Sequence, residues 1–216
     1  MDNSMDRRRF LGTSSKLVCG IAGAASFVVI DPAWGSTASD ELEQGLNIIG
    51  PRRPYSPQIG TLVSMLNWMR NKILQPVQGL TVTQLDYLQD AKANTIGALL
   101  LHLAAIERLY QIHTFEGKKW NDWDEATKRQ WDAAAGLGDL GRKKIKGNKL
   151  DYYLGTLREV REHTLAELGT RDDAWLMQVN REGGSPTNNY CKWFHVCEHE
   201  SHHNGQITWL KGRLPG

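Results

Sequence analysis

The chain has 216 residues, an apolar content of 40% and a formal net charge of +2. This length suits one domain with a short extension, and the nearly balanced charge gives no strong attraction to nucleic acid or to an anionic membrane. A local group of basic residues, from Arg142 to Lys149, is interrupted by Gly147, and we interpret it as a solvated loop. No nucleic-acid partner is therefore expected.

The N-terminus has the pattern of an export signal. Three consecutive arginines, Arg7 to Arg9, precede Phe-Leu, an apolar stretch over residues 17–30 and small residues at 35–38. This order is typical of a secretory signal, and arginines before Phe-Leu resemble the bacterial twin-arginine signal. We expect residues 1–40 to direct export to the periplasm and residues 41–216 to form the folded domain, with no stable membrane insertion after cleavage. An uncleaved signal that anchors the chain is the alternative.

Four long helical patterns follow in chain order, each with apolar residues spaced by three and four positions. They run from Ser56-Pro57 to Gly79, from Asn94 or Thr95 to about Phe115, from Leu150 to Leu168, and from about Ser185 to Gly212. A long polar connection over residues 116–149, with a short helix at Glu125–Ala135, separates the second pattern from the third. The patterns predict an all-α fold, a four-helix bundle with one crossover connection.

Histidines are concentrated in the fourth pattern. Residues 193–210 read WFHVCEHESHHNGQITWL, with four histidines in nine residues. On a helix, His195, His199 and His203 lie on one side, and His202 lies at the edge of the same arc. Neutral imidazole binds zinc, nickel or iron, and two rings spaced by four residues can meet at one ion. The spacing predicts a metal site; a partly exposed polar face or hydrogen-bonded core histidines are the alternatives.

His102 lies in the middle of the second pattern, with leucines on both sides. It is either a core histidine bonded to a backbone group or an acid, or a third ligand that faces the fourth helix. Metal sites in bundles are built from inward side chains on facing helices, which favours the ligand interpretation. His113 is too far along the helix to share the ion, and His163 in the third pattern is interpreted as a surface or core residue.

Other polar residues surround the histidine pair. Glu198 and Glu200 are interpreted either as partners of the histidines or as surface charges. Gln206 lies on the histidine face, where it could orient a ligand or a bound water. His195 and His202 could act as outer partners of the ligand histidines, and His195 could also act as a proton shuttle. His195 or His202 could instead be a fourth ligand, which would close the site.

Two stretches of the chain together resemble a known family. NTIGALLLHLAAIERLY at residues 94–110 and FHVCEHESHHNGQITWLKGRL at residues 194–214 resemble the DinB-like superfamily, which includes bacterial low-molecular-weight thiol transferases. The resemblance covers most of the chain after residue 55. It implies a bundle in up-down-down-up order, often a homodimer. It also implies a divalent metal ion, typically zinc or nickel, held by His102, His199 and His203.

The resemblance implies a function as well. Several members are metal-dependent transferases or isomerases that use bacillithiol, mycothiol or a related thiol, and many others are described as metal-dependent hydrolases. Three neutral ligands leave a position for water or substrate. We therefore expect a metal-dependent hydrolase or thiol-linked transferase that acts on a small molecule. The alternative is a non-catalytic exported protein that binds a metal or small ligand. The export signal departs from the thiol-using members, which work in the cytosol.

Overall fold

The computed structural model describes residues 45–181 and 184–215, and the predicted export signal, residues 1–40, lies outside the described residues. The helices are α1 (Pro57–Val77), α2 (Val82–Leu85), α3 (Ile96–Thr114), α4 (Glu125–Gly136), α5 (Gly138–Lys144), α6 (Leu150–Leu168), α7 (Asp173–Met177) and α8 (Asn189–Lys211). Strands β1 (Val179–Asn180) and β2 (Thr187–Asn188) form an antiparallel pair. The predicted all-α fold is confirmed. None of the described helices is both long and apolar enough to cross a membrane.

Capping groups determine where three of the long helices begin. The Thr95 hydroxyl accepts a hydrogen bond from the amide of Ala98 at 3.0 Å, at the start of α3. The Asn188 side chain accepts one from the amide of Cys191 at 2.8 Å, at the start of α8. The first turn of α1 donates two amides to the carboxylate of Asp173, which belongs to α7. Each cap satisfies donors that a helix end leaves free, so the polar residues before the apolar stripes fix the helix starts.

The directions of the long helices follow from the two large clusters of the core. One cluster joins the C-terminal halves of α1 and α8 to the N-terminal halves of α3 and α6. The other joins the opposite halves of the same four helices. Representative residues are Ile73, Ile207, Leu99 and Leu157 in the first cluster, and Leu62, Trp193, Phe115 and Leu168 in the second. Hence α1 and α8 run parallel to each other and antiparallel to α3 and α6, which confirms the up-down-down-up order.

The connection between the parallel helices α3 and α6 is the predicted crossover. Its short helix is present as α4, and Trp131 and Ala134 of α4 are buried in the first core cluster with residues of α3. This contact places the end of α4 beside the middle of α3. The crossover therefore contributes to the surroundings of His102.

The interpretation of the basic group as a solvated loop is wrong for its first residues. Arg142 lies in α5, and its guanidinium donates hydrogen bonds to the carbonyl oxygens of Lys92 and Ala93 at 2.9 and 3.2 Å. A glycine with a φ of 59°, Gly138, begins α5 directly after α4. The side chain of Arg142 thus fastens the crossover to the segment that leads into α3.

Candidate metal centre

Two facing helices bring three histidine rings together. His102 lies in the middle of α3, and His199 and His203 lie one turn apart on α8. Nε2 of His199 is 3.1 Å from Nε2 of His102 and 3.0 Å from Nε2 of His203, and one ring nitrogen of each histidine lies within 4.8 Å of the others. Tetrahedral zinc–nitrogen bonds of about 2.0–2.1 Å would separate their nitrogens by about 3.3 Å. The structure thus brings the three predicted ligands to a spacing close to that of a metal site.

Hydrogen-bond acceptors behind two of the rings determine which nitrogen carries the proton. Nδ1 of His102 lies 2.8 Å from the carbonyl oxygen of Ala134, and Nδ1 of His203 lies 2.8 Å from Oε1 of Gln206. Both Nδ1 atoms therefore donate, and in a neutral ring the other nitrogen, Nε2, is then an acceptor. The single ring proton of His199 can serve at most one of them. Among the described residues, at least one Nε2 lone pair therefore has no donor.

Burial keeps the three rings neutral. His102 and His203 are each 7% exposed, and His199 is partly buried. Desolvation lowers the pKa of His102 to about 4. Desolvation, together with repulsion from His203 and His102, lowers the pKa of His199 to about 3. Desolvation also lowers the pKa of His203. A cation between neutral imidazoles satisfies all three lone pairs without protonating a buried ring, so the donor set fits a divalent ion such as zinc or nickel.

Gln206 links the cluster to His202. Its Oε1 accepts the hydrogen bond from His203, and its Nε2 donates to Nε2 of His202 at 3.2 Å. His202 is exposed and reaches the cluster through this amide. Gln206 therefore holds the ring of His203 in orientation, as partners of metal-binding histidines do.

His195 lies beside the cluster but is not one of its three members. Its side chain is 51% exposed, and Nδ1 lies 3.3 Å from Oε2 of Glu198. Its ring centroid is 5.7 Å from that of His199. The structure thus pairs His195 with a carboxylate at the surface, one turn before His199.

Three further residues with ligand chemistry lie away from the cluster. His113 donates through Nδ1 to the carbonyl oxygen of Lys118 at 2.8 Å, and His163 is exposed on α6. Cys197 is buried in the second core cluster, where desolvation raises the pKa of its thiol to about 11. That thiol is protonated at neutral pH, so it is a poor nucleophile and a poor metal ligand.

A second group of buried polar side chains, here named the charge network, contains one residue from each long helix: Arg70, Glu107, Arg161 and Glu200. Arg70 lies 2.7 Å from Glu107 and 2.6 Å from Glu200. Arg161 lies 2.7 Å from Glu107 and 2.8 Å from Glu200. Two positive and two negative charges therefore balance in the core. In the described structure, Oε2 of Glu200 is the carboxylate oxygen of the network without a hydrogen-bond partner.

Both sequence interpretations of Glu200 are wrong, because it is 2% exposed and bonded to guanidinium groups. Burial alone would raise the pKa of Glu107, but Arg161 and Arg70 outweigh this and hold it well below its usual range. The sequence did contain a signal. Arg70 falls within the apolar stripe of α1, where a charged side chain must find a buried partner.

The fold and the cluster define a class of protein: an all-α bundle in which three histidines from two facing helices could hold a metal ion. The model of the mycothiol-S-transferase family matches residues 61–216. Because this match covers most of the chain, the protein belongs to the mycothiol-S-transferase family, within the DinB-like superfamily. The resemblance drawn from the two sequence stretches is confirmed. A comparison with the curated proteins returned no match.

Proposed function

We propose that this protein binds one divalent metal ion, zinc or nickel, through His102, His199 and His203, and that it catalyses a transfer reaction of a low-molecular-weight thiol. The observation that carries this proposal is the buried, neutral cluster in which Nε2 acceptors face one another. The family to which the chain belongs carries the description mycothiol-S-transferase, which supports a thiol as one reactant.

The chain contributes fixed ligands to this chemistry. The carbonyl of Ala134 and the amide of Gln206 orient His102 and His203. A divalent ion held by these three neutral ligands would supply a free coordination position and would lower the pKa of a thiol bound there. In the transfer, the thiol sulfur forms a bond to an electrophilic carbon, and the leaving group departs with the electron pair of its bond to that carbon. The thiol proton passes to solvent.

Elemental analysis of purified protein tests the metal site. We expect about one divalent ion per chain in the wild type, and a loss of most of it in His102→Ala, His199→Ala and His203→Ala. His163→Ala is the matched control, because it removes an exposed imidazole from α6 and should keep the ion. Full occupancy in His102→Ala would mean that α8 alone builds the site, and would contradict the proposal.

Thiol conjugation tests the reaction. Mycothiol and bacillithiol are each incubated with monochlorobimane, and the fluorescence of the S-conjugate is followed. The wild type and His163→Ala should exceed the uncatalysed rate, whereas His199→Ala should return to it. Full metal occupancy without turnover of either thiol would favour a non-catalytic protein that binds a metal or small ligand.

We also propose that residues 1–40 direct export by the twin-arginine route, which carries folded proteins and often ones already loaded with a metal. The support is the run Arg7–Arg9 before Phe10 and Leu11 and the apolar stretch that follows. Replacement of all three arginines by lysine should retain the protein in the cytosol. Unchanged export would contradict the route. An exported protein would meet its thiol outside the cytosol. We therefore propose a low-molecular-weight thiol as the reactant and do not name a particular one.

A homodimer is proposed as well, supported by the family resemblance. Light scattering on the eluate of a size-exclusion column should give the mass of two chains. The mass of one chain at micromolar concentration would contradict it.

A further inference from the structure

A cavity of about 500 Å³ lies between the segment that leads into α3 and the C-terminal half of α8. This volume falls within the range of small-molecule sites. The residues that line it form an apolar wall and a polar rim. The wall contains Leu99, Trp209 and Leu210, and the rim contains Lys92, Asn94, His202 and Gln206.

Gly205 lies in the wall of this cavity, within α8. A glycine inside a helix costs about 1 kcal/mol relative to alanine. Within the described structure, no heavy atom outside the local helix lies within 4 Å of the position that a Cβ would take. Close packing therefore does not require the glycine. The missing side chain leaves space in the cavity.

Positive charge lies at the rim of the cavity. Lys92 lines it. Arg213 is not one of the lining residues, but its guanidinium lies 3.7 Å from the ring centroid of Trp209, a lining residue that is 48% exposed. Of the described residues that line the cavity, none is Asp or Glu. The bonds from Arg142 to the carbonyls of Lys92 and Ala93 hold this side of the rim in place. An apolar wall with a cationic rim complements an organic anion that has an apolar body.

Gln206 connects the cavity to the histidine cluster. It lines the cavity and also accepts the hydrogen bond from His203 at 2.8 Å. An occupant of the cavity is therefore separated from His203 by one side chain. We propose that this cavity is a binding site for a small organic anion with an apolar body, next to the metal centre and distinct from it.

Fluorescence titration with anilinonaphthalene sulfonate tests the site, because this probe combines an aromatic body with a sulfonate. The full chain should bind it saturably. Gly205→Leu places a side chain in the cavity and should weaken binding at least about tenfold, because a filled wall excludes the aromatic body. Gly155→Leu is the matched control: Gly155 also lies inside a helix, α6, with no described heavy atom outside the local helix within 4 Å of its Cβ position. The Gly155→Leu variant should bind the probe with the affinity of the wild type. Circular dichroism should show equal helicity in both variants.

A charge reversal gives an independent measurement. Lys92→Glu should weaken binding of the probe about threefold or more at low salt, and this difference should shrink at high salt as the charges are screened. Lys119→Glu, at an exposed position beyond the other end of α3, should leave binding unchanged. Equal probe affinity in Gly205→Leu and Gly155→Leu, or in Lys92→Glu and Lys119→Glu, would overturn the proposal.

Metal content measured on the same samples separates this site from the proposed function. Gly205→Leu should bind the probe at least about tenfold more weakly and keep the wild-type amount of metal. A wild type without metal would contradict the proposed function and leave the probe result standing.

Discussion

Two buried polar clusters lie in the same bundle. Of two consecutive residues on α8, His199 belongs to the histidine cluster and Glu200 to the charge network. In the charge network, guanidinium donors meet carboxylate acceptors and the charges balance. In the histidine cluster, acceptors meet acceptors. The ring protons of His102 and His203 lie on Nδ1, where they are donated to Ala134 and Gln206, so the two Nε2 atoms that face the cluster are acceptors. Buried groups that satisfy one another hold helices together, whereas buried groups that cannot do so require a ligand from outside.

The largest expected effect tests the internal role of the charge network. Glu107→Gln leaves two buried guanidinium groups with one carboxylate, and breaking a buried pair in this way costs about 3–5 kcal/mol. Chemical denaturation should show that loss in the free energy of unfolding. Glu198→Gln, an exposed position on α8, is the control and should unfold like the wild type. A Glu107→Gln protein as stable as the control would remove the distinction between the two clusters.

The next effect concerns the group that orients His203. Gln206→Leu removes the acceptor of its Nδ1 proton, and the loss of such a partner weakens metal affinity about 10–100-fold. Competition with a chelator measures that affinity. His202→Ala keeps the bond between Gln206 and His203 and should weaken the affinity less. Equal affinities in Gln206→Leu and the wild type would show that the ring needs no partner.

The two clusters should respond to acid in different pH ranges. Because desolvation lowers the pKa of His102 from its usual 6.5 to about 4, its contribution to stability is complete above pH 6.5 and is lost as the pH falls toward 4. The shift of His102 alone should therefore cost metal-free protein about 1–2 kcal/mol between pH 7 and 5, and the lowered pKa values of His199 and His203 add to this loss in the same range. The pKa of Glu107 is lowered from its usual 4.5, so the charge network should lose its contribution to stability only when the pH falls below 4.5. Unfolding in urea at pH 7, 5 and 3.5, compared with His102→Gln, separates the two ranges. If His102→Gln loses as much stability between pH 7 and 5 as the wild type, His102 is not a source of that loss and the assignment is contradicted.

The smallest effect is expected at His195. Its side chain is half-exposed and pairs with Glu198. Metal affinity in His195→Ala should therefore stay within about threefold of the wild type, below the range of buried partners. A tenfold loss in the same chelator competition would give His195 a larger part in the site than its position indicates.

The long helices were predictable because each has an apolar stripe at helical spacing, and α3 and α8 also have a capping residue before them. The short helices α2, α5 and α7 were missed, since four to seven residues carry too little periodicity. The three histidines were found because two of them share a helix face and the third interrupts a run of leucines. Their binding of metal remains a prediction.

The partners of the buried groups were not visible in the sequence, for two reasons. Arg70 and Glu200 are 130 residues apart, so only the tertiary fold shows that they pair. The acceptor behind His102 is the backbone carbonyl of Ala134, and every residue type has one. A backbone acceptor of this kind therefore cannot be predicted from the residue type.

That carbonyl would also couple the crossover to a metal ion held by His102. Ala134 lies in the last turn of α4, where a helix leaves its carbonyls without internal partners, and the ring N–H of His102 occupies this one. An ion at Nε2 makes that N–H more acidic and strengthens its bond to the carbonyl. The end of α4 should then fray less, and hydrogen exchange of its amides should slow when the ion binds. Exchange in the crossover would then report the fraction of the protein that carries metal.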